Sequence, residues 1–287
     1  MVKAVQYPFK PKCLTINGHK LSYLDEGRGP VLVMLHGNPS WSYLYRNLVS
    51  RLHGRFRLIV PDHMGCGLSD KPQKYDYSLA THIANLTALL DHLGLEKCSL
   101  VLHDWGGAIG MGWAVDHPHR VEKICVFNTA AFLSSRIPLR IALCRVPGLG
   151  RLIIQGVNGF ARPAISMAVT KKMSKDVAAG FLLPYDSWAN RIATHRFVRD
   201  IPLKKSHPSW PVLARIDAKL TCLQDKEMLI CWGGRDFCFN EHFLHEWQRR
   251  FPAAQCHYFA KAGHYLLEDA FDEVAPLVEN FFARSWQ

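Results

Sequence analysis

Several absences limit what this chain can be. No stretch approaches the roughly 20 consecutive apolar residues needed to cross a bilayer. The opening segment from Met1 to Lys12 lacks the apolar core and small-residue cleavage site of a secretory leader. Nine cysteines are present, but none form a C-x-x-C pair and most sit inside apolar runs, so neither a disulfide framework nor a zinc cluster is expected. A soluble, cytoplasmic protein is the expectation. No G-x-G-x-x-G fingerprint occurs; Gly106, Gly107 and Gly110 read as glycines that let a helix pack closely. No metal and no cofactor are expected, and there is no internal repeat or low-complexity tract.

Acidic charge is scarce in one region. The formal net charge is +11. Between Thr129 and Pro211, thirteen Lys and Arg are set against Asp176, Asp186 and Asp200 alone, so this segment carries nearly the whole excess. A nucleic-acid role would need a groove-reading or base-stacking element among those charges, and only apolar helical stretches are there. The stretch from Ser135 to Arg162 holds Arg136, Arg140, Arg145, Arg151 and Arg162 with no acid, a composition suited to an anionic membrane surface or an acidic partner.

What is present points to an α/β architecture. At 287 residues and 48% hydrophobic, the chain can bury a large core in one domain. Short apolar runs at 31–35, 56–60, 99–102, 123–127, 228–232 and 255–259 read as buried strands. Segments of helical period at 79–93, 107–116 and 240–251 lie between them, which predicts a mostly parallel sheet with helices on both faces. Asn17-Gly18 between two strand-like runs predicts an opening hairpin. From 129 to 211 the pattern changes to Arg-studded helical stretches broken by prolines. The expected organisation is an α/β core of residues 1–128 and 212–287 with a helical cap, 129–211, over the carboxyl ends of the strands.

The run Leu100-Val101-Leu102-His103-Asp104-Trp105-Gly106-Gly107 is an apolar strand entering a glycine-containing turn and a helix, the setting of a nucleophile elbow. Asp104 stands where an esterase carries serine, although an aspartate there could simply cap the helix. Asp236 and His264 follow the last two predicted strands, giving the chain order nucleophile, acid, histidine of an α/β-hydrolase fold. An aspartate that displaces a leaving group from a saturated carbon becomes an ester, which water activated by His264 can hydrolyse; a serine would be left as a stable ether. The electrophile is therefore expected to be an sp3 carbon. Asn38, after the 31–35 strand, and Trp105 offer two uncharged N–H donors for a weakly basic leaving anion, and their backbone N–H groups offer an oxyanion hole. Their ordinary roles would be a turn and a packing residue. An epoxide would instead need acidic phenols from the cap, where Tyr185 is the single tyrosine. The Asp62–Asp70 loop, despite its metal-capable side chains, reads as structural.

The runs HGNP at 36–39, PDHMGCGLSDKP at 61–72, HDWGG at 103–107 and AGH at 262–264 resemble the haloalkane dehalogenase family of α/β-hydrolases over almost the whole chain. That resemblance implies Asp104 as nucleophile, Asn38 and Trp105 as the anion-binding pair, His264 as base and Asp236 as acid. Some branches carry the acid as a glutamate after the sixth strand, where this chain has Asn128-Thr129-Ala130. The segments 183–192 and 196–203 look most like the branch containing the cis-β-lactone decarboxylases of bacterial olefin biosynthesis. This implies a long-chain lactone as substrate, a cis-alkene and carbon dioxide as products, and contact with other olefin-pathway enzymes or an anionic membrane through the basic cap. Haloalkane dehalogenation is the alternative expectation and epoxide hydrolysis the third.

Overall fold

The computed structural model describes residues 6–284. Residues 1–5, part of the segment read above for a leader, lie outside the described residues. Eight strands form one sheet in the order β1-β2-β4-β3-β5-β6-β7-β8. They are β1 (Lys12–Ile16), β2 (His19–Glu26), β3 (Val31–Leu35), β4 (Arg57–Pro61), β5 (Cys98–Asp104), β6 (Val121–Thr129), β7 (Glu227–Gly233) and β8 (Gln255–Phe259). The first two pairings, β1 with β2 and β2 with β4, are antiparallel, and the rest are parallel. The hairpin turn has positive φ at both Asn17 (50°) and Gly18 (80°), which matches the right-handed twist of the strands it joins.

Alternation along the strands explains the two-sided core. Val33 and Leu35 of β3, with Leu100 and Leu102 of β5, face one apolar cluster; Leu32, Met34 and Val101 face the other. Helices α2 (Leu79–His92) and α3 (Trp105–Ala114) cover the first face. Helix α1 (Arg46–Leu52) and the Phe271–Ala283 helix cover the second. The predicted elements differ from the observed ones by no more than two residues at their ends, because ladder pairing and capping groups, which periodicity does not register, fix the termini. Ser78 and Asn240 serve as N-caps, accepting from the N–H groups of Thr81 and His242.

Between β6 and β7 the chain forms short helices, including Leu139–Leu143, Ala161–Met167, Lys175–Leu182 and Ile192–Asp200. Pro211 lies near the start of a further helix. It occupies the first turn of a Trp210–Lys219 helix, where a missing N–H costs nothing. That helix buries Leu213 and Ile216 in the first core cluster. Hydrogen bonds between distant residues seat the helical segment: Trp41 Nε1 donates to the Gly180 carbonyl (3.1 Å), Tyr185 Oη to the Ser40 carbonyl (3.1 Å), and Leu79 N to Asp200 Oδ2 (2.7 Å). No helix among the described residues is long and apolar enough to cross a membrane.

One ion pair with little exposure ties α1 to the short Leu266–Asp269 helix after β8. The Arg46 guanidinium is bidentate to Glu268 (2.6 and 2.9 Å) and lies 4.2 Å over the Tyr43 ring, with the arginine side chain 1% exposed. Removing it strands a carboxylate four residues beyond His264. Arg46→Ala is expected to cost roughly 3–5 kcal/mol, read as a fall of more than about 6 °C in melting temperature. A fall under about 2 °C would show that the pair contributes little.

Candidate active site

The turn at the end of β5 places the first site residue. Asp104 has φ 51° and ψ −125°, a conformation that costs a non-glycine residue energy and persists only where its surroundings enforce it. Those surroundings are crowded. A Cβ on Gly106 would overlap the Leu35 carbonyl, and one on Gly37 would overlap the Asp104 carboxylate, so both neighbours must lack a side chain. The Thr129 hydroxyl donates to the Asp104 carbonyl and clamps the turn to β6.

The Asp104 side chain does not cap α3. It turns toward the loop after β3, where Oδ1 accepts from the Asn38 backbone N–H at 2.7 Å; the Trp105 backbone N–H also donates to the carboxylate. Burial raises the pKa of Asp104, against the opposing pull of His264 and of these two N–H groups. The residue is 8% exposed and borders a cavity.

His264 lies 3.7 Å from Asp104, measured from Nε2 to Oδ2, too far for a hydrogen bond and close enough for strong charge coupling. Its Nδ1 donates to Asp236 Oδ2 at 2.7 Å, which fixes the tautomer and turns Nε2 toward Asp104. Asp236 is held in turn: Oδ1 accepts from the N–H groups of Cys238 (2.6 Å) and Phe239 (3.1 Å). Burial alone lowers the His264 pKa, but the charge and hydrogen bond of Asp236 and the charge of Asp104 outweigh it, leaving the imidazole more basic than usual. The structure thus brings Asp104, Asp236 and His264 together, with the imidazole between the two carboxylates.

Asn38 and Trp105 both line the cavity. One N–H of the Asn38 amide is committed to the Thr194 carbonyl at 3.1 Å, leaving the other free. The Trp105 indole lies against Phe197 with ring centroids 5.3 Å apart, and no described residue accepts from its N–H. The Asp62–Asp70 loop is tied to itself and to its neighbours: the Asp62 carboxylate accepts from Ser42 N and Leu68 N (both 2.8 Å), with burial pushing its pKa up to about 6, and His63 Nε2 donates to the His36 carbonyl (2.8 Å).

Sequence reasoning missed three contributors. His103, kept neutral by burial and by the neighbouring His264, donates from Nε2 to the His264 carbonyl at 2.9 Å and so supports the histidine from beneath. Asn128 pairs its side-chain amide with both backbone groups of Gly233, at 2.7 and 3.0 Å, and so joins the ends of β6 and β7 below the Asp236 loop. Their positions next to Asp104 and at the end of β6 were visible, but the contacts lie 161 and 105 residues away. The third is the wall itself. The cavity has a volume of about 450 Å³, and most of its lining is apolar, including Phe132, Ile141, Phe160, Phe237 and Phe243.

The sequence profile of the alpha/beta hydrolase fold matches residues 30–271. The chain is 47% identical, over 97% of its length and 90% of the relative's, to a cis-3-alkyl-4-alkyloxetan-2-one decarboxylase of Shewanella oneidensis. It is 43% identical, over 97% and 98%, to a protein of the same name from Xanthomonas campestris. A haloalkane dehalogenase of Mycobacterium tuberculosis is 31% identical over 96% of both chains. Among solved structures, a putative ancestral haloalkane dehalogenase superposes with a TM-score of 0.88 at 25% identity, covering 95% of this chain and 98% of that one. The chain belongs to the alpha/beta hydrolase fold family, with oxetanone decarboxylases and haloalkane dehalogenases among its relatives.

Proposed function

We propose that this chain converts a cis-3,4-dialkyl β-lactone into a cis-alkene and carbon dioxide, with Asp104 as nucleophile. One observation carries the choice: identity to two proteins named as oxetanone decarboxylases is 47% and 43% across nearly the whole chain, against 31% for the dehalogenase. The site supports it, since Asp104 borders an apolar cavity beside two neutral N–H donors.

In this reading the Asp104 carboxylate attacks the saturated ring carbon that bears the ring oxygen. That C–O bond breaks, an ester to Asp104 forms, and the freed carboxylate takes the Trp105 indole N–H and the uncommitted Asn38 N–H. The bond from the adjacent carbon to the carboxylate then breaks, its electron pair forms the double bond, and Asp104 departs as carboxylate. No proton or water is consumed. Inversion in the first step followed by anti departure in the second converts a cis ring into a cis-alkene. The role of His264 is then to stabilise the returning carboxylate with its charge, and the residues between β6 and β7 act as the cap that keeps water from the ester.

Haloalkane dehalogenation is the second reading, using the same ester and a water activated by His264. Epoxide hydrolysis is disfavoured because the Tyr185 hydroxyl donates to Ser40 and the residue is outside the cavity lining; Tyr265 does line the cavity, but from the core side. The proposal extends to a cytoplasmic location, consistent with nine free cysteines, and to contact of the basic segment with pathway enzymes or an anionic membrane.

The direct test is gas-chromatographic detection of alkene from a synthetic long-chain cis-β-lactone. The native chain should release it, and Asp104→Ala should lose at least about 10⁴-fold in rate, as removal of a nucleophile does. Full turnover by the variant would refute the nucleophile. The pH profile separates the two readings. Decarboxylation needs an ionised Asp104, whose pKa is raised by burial, and a charged His264, whose pKa is also raised, so alkene formation should fall with acid at a pH above the ordinary carboxylate value of about 3.9 and fall again as His264 deprotonates above about 6.5. Ester hydrolysis also needs neutral His264, whose pKa is raised, so halide release should develop only above about pH 6.5. A lactone profile limited in that higher range would contradict the water-free route.

A further inference from the structure

The outer side of the segment that walls the cavity is unusual for a protein surface. Of nine exposed large hydrophobic side chains among the described residues, six lie within 139–157: Leu139, Leu143, Val146, Leu149, Leu152 and Val157. Leu139 is 77% exposed. Five arginines and no acid occupy residues 135–162. Arg145 is turned inward onto the Val198 and Ile201 carbonyls, and Arg136, Arg140, Arg151 and Arg162 are exposed with no carboxylate paired to them among the described residues.

The same segment holds the cavity's entrance. Of all the residues lining the cavity, only Arg136 and Arg140 are exposed, so the mouth opens beside them. Leu139 and Leu143 flank that mouth from the Leu139–Leu143 helix, whose Ile141 points inward to the lining. The projecting aliphatics come from short helices interrupted by Pro147 and Gly148, and they form no long groove or free strand edge of the kind a protein partner would use. Arginines with apolar stems between protruding leucines are what an interfacial segment presents to acidic headgroups and the acyl boundary beneath them.

We infer that residues 136–157 dock on an anionic lipid surface, with the cavity mouth turned toward the bilayer, so that an apolar substrate passes from lipid to Asp104 without crossing water. Only the identity of that substrate rests on the proposed function; the docking face does not. The test is flotation of the full chain with phosphatidylcholine vesicles, with and without phosphatidylglycerol. The chain should float with the anionic vesicles, less so at high salt, and stay behind with the zwitterionic ones. Leu139→Ser with Leu143→Ser should keep the native melting temperature while weakening partitioning about tenfold, and should slow turnover of a vesicle-borne lactone in step. Failure of the native chain to float with anionic vesicles at low salt, or equal flotation of the leucine variant, would overturn the inference. Non-floating protein whose leucine variant dissociates from a defined protein complex would assign the face to a protein instead. A chain that floats but yields no alkene would support the docking face and contradict the lactone reading.

Discussion

The site depends on one backbone turn. Asp104 adopts a left-handed φ at the end of a strand buried on both faces, and this aims its carboxylate across the ends of β3 and β5 instead of along the helix it precedes. The turn fits only because Gly37 and Gly106 leave room for the carboxylate and for the Leu35 carbonyl. Two backbone N–H groups then hold the carboxylate, a function that no surface mutation can supply or remove.

Charge follows from that placement. Asp104 and Asp236 stand on opposite sides of one imidazole, and Asp236 is saturated by His264 and two backbone N–H groups. Asp104 is the less satisfied of the two. Its carboxylate borders a cavity with mostly apolar walls, and burial raises its pKa. A buried carboxylate with raised basicity is a better nucleophile toward carbon than a hydrated one. The paired and rigid Asp236 is suited to holding the histidine.

Much of this was legible in the sequence. Strands β3 and β8 lie where the apolar runs put them, and the glycines around Asp104, the order of Asp104, Asp236 and His264, and the HGNP and HDWGG runs all pointed to one site. Whether Asp104 caps a helix or faces a cavity was not legible, because that depends on φ at a single residue. Contacts between distant residues were equally hidden. Nothing local marks Arg46 as the partner of Glu268, Asn128 as the tie to Gly233, or Thr194 as the acceptor that occupies one hydrogen of the Asn38 amide. Hidden too was the Trp210–Lys219 helix, whose first turn holds Pro211 and which packs on the core.

The central claim is that Asp104 attacks a saturated carbon and carries it as an ester. The sharpest test exposes the His264→Ala variant to 1-bromohexane and follows it by intact mass and peptide mapping. Without the imidazole the ester cannot be hydrolysed, so a hexyl adduct should accumulate in stoichiometric amount on the peptide containing Asp104. An adduct confined to another residue would contradict the account, whereas an unmodified chain would exclude only the dehalogenation reading.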